Sequence, residues 1–114
     1  MRNLLVVCNP GRVDAVVAAV ELQQNLASTF AIYTISDVNI PGMIKSTLAD
    51  LPPIEVAVVL GGDGTMLRAA EVTQAHDIPL LGVNLGHVGF LSEVERSKIA
   101  DVIHALVNKT YVID

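Results

Sequence analysis

The chain has 114 residues, which suits one domain large enough to bury a core. Twelve acidic against seven basic side chains leave a net charge of −5 with the cations scattered, which argues against a nucleic-acid or anionic-membrane partner. Apolar residues make up 52% and mean hydropathy is +0.54, yet no apolar run reaches the ~18 residues of a membrane helix, and "NLLVVC" is too short for a secretory signal. So apolar a composition fits a parallel sheet covered on both faces, or a surface made for a further domain. The lone cysteine, Cys8, cannot form an intramolecular disulfide, which points to a reducing, cytoplasmic setting and to a small buried hydrophobe.

The apolar run 3–8, closed by Asn9-Pro10-Gly11, predicts a buried strand and a turn. Val13, Val16, Val17 and Val20 recur at helical spacing beside Asp14 and Glu21, which predicts an amphipathic helix over 12–27 with the valines inward. "TFAIYTI", 29–35, is β-branched and aromatic and predicts a strand. A loop follows, then a short helix over 43–50 that "LPPI" breaks. "EVAVVL", 55–60, predicts a third strand and "TMLRAAEVTQA", 65–75, a helix. Pro79 opens a fourth strand whose Gly82 marks close backbone approach. Ser92 and Glu95 form an S-x-x-E capping box, and Ile99, Val102, Ile103 and Leu106 carry a helix to about 108. "TYVID" begins one more strand. Strand alternating with helix predicts a three-layer, Rossmann-like α/β domain, with a mostly parallel sheet and helices on both faces. In such sheets ligands bind beyond the carboxyl ends of the strands, so the turns at 9–11, 61–64 and 86–89 should gather on one edge.

Gly61-Gly62-Asp63-Gly64-Thr65 interrupts the pattern most sharply. Glycines let a ligand approach the backbone, and the amides there, with the N-terminus of the next helix, suit an anion such as phosphate. The turn is neither a Walker A loop, lacking Gly-Lys-Ser/Thr, nor a dinucleotide fingerprint, because Leu67 stands where the third glycine belongs. A carboxylate beside phosphates repels them unless it accepts a hydroxyl proton or holds a bridging metal ion, and Arg68 could offset that repulsion. The competing reading is a tight turn with Asp63 or Thr65 capping the helix. In Asn84-Leu85-Gly86-His87-Val88-Gly89-Phe90, the Asn84 amide could read a ribose or base edge, His87 could donate to phosphate, and Phe90 offers an aromatic face. Each could equally serve the fold, with Phe90 in the core and His87 in solvent. His76 and His104 have no metal-site spacing and read as structural.

"GGDGTMLRAA" followed by "IPLLGVNLGHVGFLSEV" resembles the NAD kinase family. The first motif is shared in similar form with lipid kinases and phosphofructokinases; the second, N-x-G-x-x-G-F-L, is far more specific. The resemblance is strong over 55–114 and rests on the strand–helix pattern over 1–54, where Asn9-Pro10-Gly11-Arg12 resembles the family's first loop. It implies phosphoryl transfer from ATP, or polyphosphate, to the adenosine ribose 2′-hydroxyl of NAD, with magnesium or another divalent metal. It implies Asp63 as general base and Gly61, Gly62 and Gly64 lining the nucleotide site. Thr65 and Arg68 belong to the same implied nucleotide site. Asn84, His87 and Phe90 would lie near the dinucleotide, with Leu67 and Val88 as apolar contacts and Asn9 and Arg12 as a possible ATP loop. Family members continue into a β-rich domain. The expectation is therefore an N-terminal nucleotide-binding domain over 1–108, with 109–114 opening the strand toward that absent domain. Such a chain would be inactive alone and part of a homo-oligomer. The alternatives are a stand-alone nucleotide-binding or regulatory module without catalysis, and a lipid or sugar kinase of the same glycine-motif group.

Overall fold

The structure is a computed structural model and describes residues 1–86 and 91–113. Its elements run β1 (Arg2–Cys8), α1 (Val13–Leu26), β2 (Phe30–Thr34), β3 (Ile44–Lys45), β4 (Val56–Gly61), α2 (Asp63–Ala75), β5 (Leu80–Asn84) and α3 (Glu93–Asn108). The five strands form one sheet in the order β3-β2-β1-β4-β5, and every pairing is parallel. From the centre the chain winds outward through β2 on one side and through β4 to β5 on the other. The order therefore reverses between β1 and β4, and the loops leaving those two strands part there to open a crevice.

Alternation along the strands sorts the core into two faces. Leu4, Val6, Phe30, Ile32, Val56, Val58 and Leu60 pack with Ala15, Ala18, Ala19, Leu22 and Leu26 of α1 and with Ile99 and Leu106 of α3. Leu5, Ala57 and Val59 are just as buried on the opposite face, which α2 covers through Ala69 and Thr73. Being covered on both sides, β4 reads as an unbroken apolar run with all six residues buried. Gly82 is the close approach that its place in a strand foretold: a Cβ there would lie 2.9 Å from Sδ of Met66, so the helix can sit directly on β5.

Three expectations change. The α1 helix forms, but its buried stripe is Ala15, Ala18, Ala19, Leu22 and Leu26, while Val13 and Val17 face solvent and Val16 and Val20 flank the core. Small alanines let the helix axis approach the sheet, and valine bulk is displaced to the margin. Residues 43–50 form no helix. The Pro41-Gly42 turn, with Gly42 at φ +87, lays Ile44 and Lys45 along the free edge of β2 opposite Tyr33 and Thr34. There the backbone gains sheet bonds that one helical turn before Leu51-Pro52-Pro53 could not match. The strand expected over 109–114 is absent from the described residues 109–113: Lys109 ends α3 in the left-handed conformation, and Tyr111 folds back to donate its hydroxyl to Glu55 at 2.7 Å.

Glu55 is the hub of that closure. Arg2 donates from Nε and Nη2 to both of its oxygens and lies over the Phe30 ring, 4.3 Å from the centroid. These bonds, Arg2 first and Tyr111 behind it, hold the Glu55 carboxyl down at about 2 against the opposing effect of burial. The folded value is thus depressed below the ~4.3 of an unfolded chain. The stabilisation is complete above about pH 5 and lost as pH falls toward 2, and with a partly exposed pair it amounts to roughly 1–2 kcal/mol. Chemical unfolding of the wild type and Glu55→Gln should therefore differ near neutrality and converge in acid. A gap unchanged across that range would show that Glu55 acts by packing alone.

Candidate functional site

β4 runs straight into Gly61-Gly62 and α2 begins at once, with Gly62 as its N-cap and Asp63 as its first residue. Among the described residues no side chain caps this helix, so neither Asp63 nor Thr65 fills the capping role that the turn reading gave it. The first-turn amides keep their donor capacity, and the helix dipole adds partial positive charge at the same point. Left-handed dihedrals do not explain the glycines: among the described residues only Gly42 has a positive φ among glycines, and Gly62 sits at φ −95. Close approach does. A Cβ on Gly61 would meet the Thr65 side chain at 2.9 Å, and one on Gly62 would meet Nη1 of Arg12 at 3.0 Å. Gly64 differs, since a Cβ there would find nothing within 4 Å. None of the described residues requires that glycine; the space they leave in front of it is open.

That space belongs to a groove of about 700 Å3 at the carboxyl ends of the strands, within the range of small-ligand sites. Asn9, Pro10 and Arg12 of the first loop line it, with Gly62, Gly64, Thr65 and Arg68 at the start of α2. Ile35, Ser36 and Asp37, which follow β2, complete the wall. Asn9 shapes its loop by accepting the Gly11 amide at 2.8 Å, and Ser36 accepts the amide of Cys8 at 3.1 Å. The Cys8 thiol is buried, and burial pushes its pKa up, which suits the inert hydrophobe its surroundings imply.

Asp63 and Asn84 stand beside this groove, on the β5 side of the helix start. Asn84 is paired in register with Gly61, and its Nδ2 lies 3.4 Å from Oδ1 of Asp63. Both side chains are exposed, as are Arg68 and Leu67. The two glycine motifs, 21 residues apart, thus meet at one carboxylate–amide pair. His87, Val88 and Phe90 lie outside the described residues.

Arg12 does more than line the groove. Its Nε and Nη2 donate to the Asp14 carboxylate at 3.0 and 2.7 Å, and Nη2 also donates to the Leu85 carbonyl at 2.9 Å. Asp14 is fully buried, and the Arg12 bond first, then the Ala15 amide, hold its carboxyl below the usual range despite the burial. One guanidinium therefore ties the loop after β1 to the chain leaving β5, and lies close against Gly62 after β4. Local periodicity had set Asp14 on a polar helix face and left Ser36 and Asp37 in a featureless loop. The rule that ligands meet strand carboxyl ends was the signal available for Ser36 and Asp37. No group of three or more His, Cys, Asp or Glu side chains converges among the described residues, so no metal cage of protein ligands is built there. Nor is any helix among them long and apolar enough to cross a membrane.

A parallel sheet whose glycine-walled loops and uncapped helix N-terminus share one carboxyl-end groove defines a Rossmann-like α/β domain. Residues 49–111 match the ATP-NAD kinase N-terminal domain, and the chain belongs to that family. It is 38% identical to the NAD kinase of Cutibacterium acnes, over 99% of this chain and 38% of that protein. It is 36% identical to the NAD kinase of Leifsonia xyli subsp. xyli, over 99% of this chain and 41% of that one. The fold is shared with yeast NADH kinase, solved in complex with NADH, at a TM-score of 0.68 and 21% identity, covering 95% of this chain and 36% of the yeast protein. The chain thus spans about two-fifths of the length of these curated relatives.

Proposed function

We propose that this chain supplies the nucleotide-binding part of an NAD kinase, which transfers the γ-phosphoryl of ATP to the adenosine ribose 2′-hydroxyl of NAD, giving ADP and NADP. The observation that carries the reading is the start of α2, where uncapped amides and the open space before Gly64 face the groove while Asp63 and Asn84 face its other side. The helix N-terminus then separates two substrates. Donor phosphates lie on the groove side, against the Gly62–Thr65 amides and Arg68. The acceptor ribose lies on the Asp63 side, its hydroxyl held by Asn84 and its proton passing to the Asp63 carboxylate as the O–P bond forms. Transfer of this kind runs through a loose transition state, so positioning and charge neutralisation carry most of the rate.

Magnesium fits this donor set in one way only. With one carboxylate at the helix start and no cage among the described residues, the ion would be held mainly by the phosphates, as is usual for magnesium at nucleotides. There it would supply neutralisation of phosphate charge. A β-rich second domain completing the acceptor site belongs to the same proposal. Exposed Val112 and Ile113, beside an uncharged hollow along α2 and β5, support it.

NADP formation by the full-length protein from ATP, magnesium and NAD tests the activity, and Gly64→Ala tests the site. Alanine in the first helical turn should leave stability unchanged or raise it by up to about 1 kcal/mol. The methyl would occupy the space assigned to phosphate, so the KM for ATP should rise at least tenfold. A stable Gly64→Ala enzyme with wild-type kinetics would remove the phosphates from this position.

A further inference from the structure

The peptide between Leu85 and Gly86 is gripped at both ends. Its carbonyl accepts from Arg12 Nη2 at 2.9 Å, and its N–H donates to Oε2 of Glu95 at 2.8 Å. The Leu85 amide, one peptide earlier, is bonded to the Gly61 carbonyl at 2.9 Å. Glu95 is buried, at 4% exposure, and its other oxygen, Oε1, accepts the Ser92 amide at 3.0 Å. The Ser92 hydroxyl accepts the Glu95 amide in return at 3.2 Å, which completes the capping box of α3. A capping box needs only the Ser92 bond from this carboxylate. The second oxygen reaches instead across the neck of the segment that begins at Gly86 and ends at Ser92.

We propose that Glu95, backed by Arg12, is a positioning residue for the dinucleotide acceptor, its carboxylate holding the Leu85–Gly86 peptide so that Asn84 faces the substrate. This rests on the NAD kinase reading of the site. The reasoning is geometric. Asn84 lies one residue before the gripped peptide, so any rotation of that peptide moves the amide away from Asp63. Arg12 is itself immobilised by buried Asp14, so the two grips come from groups that cannot drift. Only a carboxylate accepts from both amides, because the NH2 of a glutamine would stand against one of the two N–H donors.

The test uses the full-length protein. Glu95→Gln should raise the KM for NAD at least tenfold and leave the KM for ATP within about twofold. Glu95→Asp, too short to span both amides, should move the KM for NAD in the same direction and keeps the proposal testable if the glutamine variant does not fold. Ser92→Ala removes the other half of the capping box, so it should lower Tm without moving the KM for NAD. If Glu95 merely caps α3, its variants and Ser92→Ala will lower Tm alike with both KM values unchanged, and the proposal fails. Equal rises in both KM values overturn it too. Amide exchange separates the clasp from the activity. Even if the wild type makes no NADP, faster exchange at Gly86 in the Glu95 variants but not in Ser92→Ala upholds the closed neck, and unchanged exchange at Gly86 overturns it.

Discussion

Asp63→Asn in the full-length protein is expected to lower kcat for NAD phosphorylation by about 10²–10⁴, the range for loss of a positioned general base. Asparagine keeps the size of the side chain and can still bond a ribose hydroxyl, so NAD affinity should change little. Stability should fall by less than about 1 kcal/mol, because what the helix loses is one favourable charge near its N-terminus. Asparagine caps a helix about as well as aspartate, so a purely structural Asp63 would leave activity intact. The structure weakens that alternative, since Gly62 holds the cap position and the Asp63 carboxylate is turned toward Asn84. A kcat within a few-fold of the wild type sinks the catalytic assignment. Partial recovery on raising magnesium would instead give Asp63 the holding of the metal.

The largest stability effect is expected at Arg12. Arg12→Ala leaves the Asp14 carboxylate fully buried without its cation and the Leu85 carbonyl without its donor. Breaking a buried pair from one side costs about 3–5 kcal/mol. The cost comes mainly from the orphaned charge, so removing both charges should recover much of it: Arg12→Met with Asp14→Leu should lie within about 2 kcal/mol of the wild type. Urea unfolding of the single and double variants measures this directly. A loss below about 1 kcal/mol in Arg12→Ala, or a double variant as unstable as the summed single effects, would show that the pair is not coupled as its geometry indicates.

Strand–helix alternation and the two glycine motifs were legible because each is a local signal. β4 announced itself as an apolar run, and Gly62-Asp63 as a break where strand meets helix. The burial of Asp14 was not legible, because its partner is set by the way Arg12 turns back over the first loop, and a charged residue among valines looks like a polar face. The valine stripe misled for a related reason. Periodicity finds a helix but cannot say whether alanine or valine meets the sheet, which depends on how near the helix axis must come. β3 was invisible because two residues carry no period; the free edge of β2 makes them a strand. The capping box at Ser92 and Glu95 was legible, but only as half of what the carboxylate does, since Gly86 is brought to it by tertiary structure.

The central place of β1 also has a bearing on biosynthesis. β1 is made first, yet one of its two neighbours in the sheet, β4, begins only at Val56. At about 5–20 residues per second, the ribosome leaves the Leu4–Val7 edge without that neighbour for roughly 3–10 s. The early β1-α1-β2 unit is thus a nascent chain with an apolar strand edge on offer, open to trigger-type chaperones or to wrong partners. The ligand face waits longer still, until Glu95 has emerged to lock the Leu85–Gly86 peptide. It therefore matures after the sheet strands that carry it.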